Sequence, residues 1–337
     1  MLTTKNARNK AISRLQRMII FTVVGLLLVS VASVNPHHGN VYASTTDDIN
    51  QPAHNARAHI AFDECPTNSE GEAASAYVFR ETMNSFPTGP KDDDEWKALW
   101  PGTKWANGPD EGRVVVDSQT AYGGSGKSTR ILYPKGGQQS KNSGAQWFID
   151  LKGEYEDLYM SYWVRFDEDF DFVLGGKLPG FGGAVSYEDR THEWSGRLMW
   201  REDGKVEFYV HVPKENNFDP GDRFWWNTEG FQATFVPGRW HHIEIRMRLN
   251  TPGQYNGLME GWFDGVKAAS YPNFYFRDAP TRSTKIAWVF SSTFFGGSSS
   301  PIWQAKKDEH AWFDEFIVSH SRIGYPGPSA NACGHNT

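Results

Sequence analysis

The sequence predicts an all-β fold, most simply a jelly-roll β-sandwich. Three observations carry this. Short runs that alternate apolar and polar residues recur along the chain, separated by glycine and proline turns. No long amphipathic helix pattern interrupts them. The composition is rich in turn formers and rings, with 33 glycines and 15% aromatic residues among 337. Many short strands with frequent turns bury their apolar faces by packing sheet on sheet. One domain, residues 86–325, holds every such run, and residues 326–337 read as a C-terminal tail.

The net charge of -6 argues against nucleic-acid binding. A polyanionic partner would need a local basic patch on an otherwise acidic protein.

The N-terminus reads as a targeting segment. Lys5, Arg8, Lys10, Arg14 and Arg17 precede an uncharged apolar run, Met18 to Val34. Val41-Tyr42-Ala43 before Ser44 is a candidate cleavage site, and Ser30-Val31-Ala32 is a second. The expected signal peptide is residues 1–43. The rival reading is an uncleaved anchor, because the run is nearly long enough to span a bilayer; its shortness favours cleavage. Either way the folded part leaves the cytoplasm. With the signal cleaved, the expectation is a secreted, extracellular monomer with no stable membrane partner. Cys65 and Cys333 lie near the two ends of the mature chain. An oxidising compartment would permit one bridge tying the termini together; two unpaired thiols are the alternative.

Residues 44–85 are polar with little periodicity and read as a linker or loosely ordered lead-in. Asp92-Asp93-Asp94-Glu95 reads as a solvated acidic loop rather than a calcium site. Strands are then expected at Arg113 to Val116, Ser128 to Tyr133, Gln146 to Leu151 and Leu158 to Phe166. Gly175 to Gly183 reads as a glycine-rich loop. Trp240 to Leu249 alternates, with Ile243, Ile245, Met247 and Leu249 inward and His242, Glu244, Arg246 and Arg248 outward. Two short strands flank the hairpin signal Asp264-Gly265. Lys285 to Phe295 and Ala311 to Ser319 complete the set.

The stretch Ser195 to Val212, SGRLMWREDGKVEFYVHV, reads as a hairpin whose register can be derived. A two-residue turn at Asp203-Gly204 would set Trp200 against Glu207, apolar against polar. A three-residue loop, Glu202 to Gly204 with Gly204 left-handed, sets Trp200 against Val206 and Leu198 against Phe208. One face then carries Leu198, Trp200, Val206, Phe208, Val210 and Val212. The other carries Ser195, Arg197, Met199, Glu207, Tyr209 and His211, with Arg197 opposite Tyr209 and Ser195 opposite His211. A guanidinium, a phenol, an imidazole and a hydroxyl on one patch can bind an anion and move a proton.

No G-x-S-x-G, H-E-x-x-H, C-x-x-C or phosphate loop is present; Gly123 to Ser128 lacks the spacing of one. His241 and His242 point to opposite faces of a strand and make poor joint metal ligands. No metal and no cofactor are expected. GGKLPG from Gly175, SGRLMWR from Ser195 and the Tyr-x-His strand together resemble polysaccharide lyase family 14. LYMSYWVRF before them, GRWHHIEIRMRLNTPGQYNGLMEGWFDG after them and STFFGG at Ser292 to Gly297 agree. The resemblance covers Gln146 to Ser319.

The resemblance implies a jelly-roll scaffold with an open substrate cleft, and depolymerisation of alginate or glucuronan by β-elimination. It implies that Lys177, Ser195, Arg197 and Tyr209 occupy active-site positions. It departs at Tyr209-Val210-His211, where family members carry Tyr-x-Tyr. The expected substrate is an anionic polysaccharide. Its C5 proton becomes removable only when the neighbouring carboxylate is neutralised, the role expected of Arg197 with help from Lys177. Tyr209 is expected as the acid, with the base role open to Tyr209 itself or to His211, which otherwise orients substrate, and Ser195 as a hydrogen-bonding orienter. Gln146 and Tyr159 are expected to line the cleft and bind substrate. Trp163, Trp225, Trp226 and Trp303 are candidates for stacking on sugars. The competing classes are a non-catalytic carbohydrate-binding module and a glycoside hydrolase. The latter needs two carboxylates across the cleft, and the hairpin face supplies only Glu207.

Overall fold

The structure is a computed structural model, and it describes residues 77–103, 105–183, 194–212, 223–228, 230–279 and 284–326. The signal peptide, the lead-in up to residue 76, Cys65, Cys333 and all but residue 326 of the tail lie outside the described residues. Among the described residues, no helix is long and apolar enough to cross a membrane.

The strands in chain order begin with β1 (Tyr77–Glu81), β2 (Gly89–Pro90), β3 (Ala106–Asn107), β4 (Val114–Asp117), β5 (Ser128–Tyr133) and β6 (Ala145–Tyr155). They continue with β7 (Asp157–Phe166), β8 (Gly175–Gly183), β9 (Ser195–Arg201), β10 (Val206–His211), β11 (Phe224–Trp225), β12 (Asn227–Thr228) and β13 (Phe231–Gln232). The last five are β14 (Trp240–Arg248), β15 (Gly257–Phe263), β16 (Val266–Phe274), β17 (Ile286–Phe295) and β18 (Glu309–Ser319). Two antiparallel sheets form a sandwich, as expected. One runs β16-β15-β14-β7-β18-β5-β4-β2, with β1 also paired to β18. The other runs β11-β10-β9-β8-β17-β6-β3, and β12 pairs only with β13.

The core between the sheets is built from the inward members of each alternating strand. Met160, Tyr162, Val164 and Phe166 of β7 and Ile243, Ile245 and Met247 of β14 are fully buried. They face Leu198, Trp200, Val206 and Phe208 of the β9–β10 hairpin, also buried. Trp200 meets Phe166 edge-on at 5.5 Å and Tyr133 at 5.8 Å. Such ring pairs add directional contacts to the area they bury.

The hairpin adopts the derived register: Trp200 pairs with Val206, Leu198 with Phe208, Arg197 with Tyr209 and Ser195 with His211. Gly204 is left-handed at φ 77°, and Asp203 joins it at φ 60°. The loop closes through Arg201 N–H donating to the Lys205 carbonyl at 2.7 Å.

Three expectations are corrected, and a fourth, the outward face of β14, holds with its residues covered. Gly175 to Gly183 is a fully buried strand, not a loop. Its glycines answer to close packing: a Cβ on Gly176 would lie 2.1 Å from the Trp200 ring, and one on Gly180 would lie 2.1 Å from the Gly196 carbonyl. Residues 77–85 are not a loose lead-in; β1 pairs with β18, and Met83 is buried. The acidic run is the start of helix α1 (Asp93–Leu99), with Asp92 and Glu95 forming a capping box. Carboxylates there satisfy the free N–H groups and oppose the helix dipole, while Trp96 enters the core. On β14, His242 and Glu244 face outward yet are buried. The segment after β18 covers them, since Ile323 N–H donates to Glu244 Oε1 at 2.7 Å and Tyr325 packs 5.8 Å from the His242 ring.

Candidate active site

The outer face of the seven-stranded sheet collects alternate residues of β6, β8, β9, β10 and β17. Pairing of β8 with β9 sets Lys177 beside Met199, and pairing of β9 with β10 sets Arg197 beside Tyr209. Lys177 and Arg197 are nevertheless recessed, at 4% and 7% exposure. This face is polar but not solvated, which the alternation pattern alone does not reveal.

Lys177 Nζ lies 3.5 Å from the centroid of the Tyr209 ring. It donates to Met199 Sδ at 3.1 Å and to the Gly296 carbonyl at 3.2 Å. None of these partners carries a charge. Burial, then the positive charges of Arg197 and Arg201, push its pKa down to about 6, against a smaller opposing pull from Glu207. Arg197 donates from Nη1 to Ser292 Oγ at 2.9 Å and lies over the Phe290 ring at 4.2 Å. Its Nε makes no hydrogen bond among the described residues. Burial lowers its pKa to about 10, which still leaves it a cation at neutral pH.

The Tyr209 ring therefore has Lys177 over it and the Arg197 guanidinium 5.4 Å from its centroid. His211, at the open end of β10, meets Tyr209 edge-on at 4.9 Å. Although the ring edge reaches solvent, desolvation of its inner side and then the charges of Arg197 and Lys177 hold its pKa down to about 4. It is neutral and able to accept a proton at pH 7. Ser195 faces His211 across the strand pair at 8% exposure.

The structure thus brings together Lys177, Ser195, Arg197, Tyr209 and His211. Gln146 joins them: β6 pairs Gln146 with Ser292, the hydroxyl that holds Arg197. Tyr159 does not. It lies on the outer face of the opposite sheet, tilted against Trp262 at 6.1 Å and beneath the Arg246 guanidinium at 5.1 Å. The alternation of LYMSYWVRF locates its face correctly; which sheet that strand joins is a long-range fact. Of the tryptophans, Trp226 is in the core, and Trp163 on the opposite sheet is stacked under Tyr122 at 3.6 Å. Trp225, paired with Glu207, shares the site face, and Trp303 lies 5.1 Å from the Arg201 guanidinium.

Sequence reasoning did not single out Met199, Phe290, Ser292 or the Gly296 carbonyl as parts of the site. The last three lie in or beside STFFGG, so the motif was visible while its contact with Arg197 and Lys177 was not. Glu207, the lone carboxylate of the hairpin face, is 3% exposed and held by Arg223 Nη1 at 3.1 and 3.2 Å, with Arg201 Nε at 3.5 Å. Both of its oxygens are thus engaged by guanidinium groups. Among the described residues, no group of three or more His, Cys, Asp or Glu is placed to hold a metal.

A profile of the family Polysaccharide lyase 14 matches residues 122–316. No curated protein sequence matches significantly. Among solved structures, the PL-14 alginate lyase from Aplysia kurodai is similar with a TM-score of 0.58 at 24% identity, over 72% of this chain and 98% of that one. The alginate lyase vAL-1 from a Chlorella virus gives 0.54 at 20%, over 71% and 99%. A mutant of alginate lyase Aly36B in complex with alginate tetrasaccharide gives 0.55 at 18%, over 73% and 98%. What these structures share with the chain is the sandwich fold.

Proposed function

We propose that this chain, which belongs to polysaccharide lyase family 14, cleaves a polyuronate, alginate or glucuronan, by β-elimination on the outer face of its seven-stranded sheet. The observation that carries the reading is a recessed guanidinium, Arg197, beside a recessed amine, Lys177, that an arriving anion would turn into a cation, both set against the face of Tyr209. A buried cation without a carboxylate partner is costly to maintain and is suited to an anion that arrives from outside.

In this reading the uronate carboxylate docks on Arg197, whose orientation Ser292 fixes. Neutralised, the carboxylate can spread the charge that develops at C5. His211, neutral in the free protein, takes the C5 proton. The C5–H electron pair forms the C4–C5 double bond, the C4–O4 bond breaks, and Tyr209 gives its proton to the leaving O4. Substrate charge offsets the positive charge of Arg197, which adds to desolvation in holding His211 down, so the imidazole becomes more basic as the complex forms. Ser195 and Gln146 orient the sugar.

The experiment is incubation with polymannuronate, polyguluronate and glucuronan while following ultraviolet absorbance of the unsaturated uronate end. New absorbance supports the lyase reading. New reducing ends without absorbance would overturn it. Secretion is a further part of the proposal, resting on the N-terminal charge and hydropathy pattern. Expression from the full-length gene should release a chain beginning near Ser44 into the medium; retention in the membrane would favour the anchor.

A further inference from the structure

A second cationic station stands on the same face, toward the β9–β10 turn. Along β9, Arg197, Met199 and Arg201 project to one side. Arg201 is four residues from Arg197, about 13 Å along a strand, too far for one carboxylate to bridge both. A groove of about 320 Å³ opens there between Leu174, Arg201, Glu202, Lys205, Arg223 and Trp225.

Its chemistry is specific. Buried Glu207 holds Arg223 and Arg201, one from each side. Two guanidinium groups on one carboxylate leave a surplus positive charge, which Glu202 at the groove wall offsets in part, and donors free to take a second carboxylate. The Arg223 guanidinium lies 5.9 Å from the Trp225 ring, and the Arg201 guanidinium 5.1 Å from that of Trp303. Arg223 is 46% exposed at its side chain, so it is accessible to a ligand. Lys205 adds charge at the rim, although Asp203 pairs with it at 3.1 Å.

We propose that this groove is a distal subsite that seats a uronate unit away from the scissile bond. Arg223 and Arg201 take its carboxylate, and Trp225 takes the apolar face of its ring. Glu207 is a positioning residue that holds both guanidinium groups toward the groove. The proposal rests on the polyuronate reading of the central site.

The test is steady-state kinetics of Arg223→Ala, Arg223→Lys and Trp225→Ala on polymannuronate and on the shortest oligomannuronate still cleaved. Arg223→Ala and Trp225→Ala should each raise KM on the polymer about tenfold, with kcat changed less than about twofold. Arg223→Lys should recover part of the loss, and the difference should vanish on the shortest oligomer. Arg248→Ala, which removes an exposed charge from the opposite sheet, is the control for the general field. An unchanged KM overturns the subsite, as does an equal rise on the shortest oligomer or in the control. Native gels cast with polymannuronate read the groove independently of turnover. If no polyuronate yields absorbance, the lyase reading fails, while loss of retardation in the two variants still supports the subsite and equal retardation still overturns it.

Discussion

The two outer faces of the sandwich are made by the same alternation of side chains, yet they are electrically opposite. On the nine-stranded sheet the charges around Arg246, Glu260 and Glu244 are answered from within. Arg246 reaches Asp157 at 2.7 Å and Glu260 at 3.2 Å, Lys267 closes on the other oxygen of Glu260, and Glu244 accepts two backbone N–H groups. On the seven-stranded sheet the partners of Lys177 and Arg197 among the described residues are sulfur, a carbonyl, a hydroxyl and aromatic faces. Closed networks hold a fold together. A buried charge left without its counter-ion costs stability, and the molecule regains that cost when an anion binds.

Removing groups from the open face is the strongest way to break this contrast. Arg197→Ala should lower kcat about a thousandfold on polyuronate, and Tyr209→Phe should do comparable damage by removing the proton donor. Tyr209→Phe should leave thermal stability nearly unchanged, since it removes one hydroxyl from a half-buried ring, and Arg197→Ala should offset part of its lost packing by removing a buried charge whose Nε lacks a partner among the described residues. The absorbance assay and a melting curve of each variant measure both. Near-normal turnover in either variant would sink the assignment.

His211 gives the next largest effect. His211→Ala should cost about a hundredfold in kcat, the ordinary worth of a positioned base. His211→Tyr, which restores the family's Tyr-x-Tyr pattern, should recover much of that and move the acid limb of the pH profile. If alanine and tyrosine behave alike, His211 is not in the proton path.

Arg246→Ala tests the closed face. It should leave kcat and KM unchanged while costing about 2 kcal/mol of stability, because Asp157 and Glu260 lose a shared partner. Urea unfolding reads the loss. A fall in activity with unchanged stability would mean that the two faces are not functionally distinct.

How much of this was legible in the sequence differs between the faces. The β9–β10 register followed from matching apolar partners, because a slip of one residue would put Trp200 against Glu207. That register alone gathers Ser195, Arg197, Tyr209 and His211. Lys177 came from a motif, and its strand was misread because Gly175-Gly176 and Gly180 look like turn formers when their close neighbours are out of view. Tyr159 was assigned to the wrong sheet for a related reason: alternation fixes a side chain's face but not which sheet its strand joins. The burial of His242 and Glu244 depends on residues 323–325, some eighty positions downstream, and no local pattern encodes that contact.

The most specific effect concerns Lys177. Its folded pKa, about 6, lies below its ordinary value of 10.5. Between those values the unfolded chain binds a proton that the folded chain does not, so this residue makes stability rise as pH climbs through the window, with the full penalty present below about pH 6. Lys177→Met should flatten that part of the profile. A bound uronate carboxylate reverses the balance by supplying the missing counter-charge, so Lys177 should take up a proton as substrate binds. Calorimetry of the Tyr209→Phe variant with mannuronate oligomers, in buffers of different ionisation enthalpy at pH 8, should register uptake approaching one proton, and Lys177→Met in that background should abolish it. Zero uptake in the parent would mean that Lys177 keeps one protonation state through binding, and that substrate does not supply it with a counter-charge.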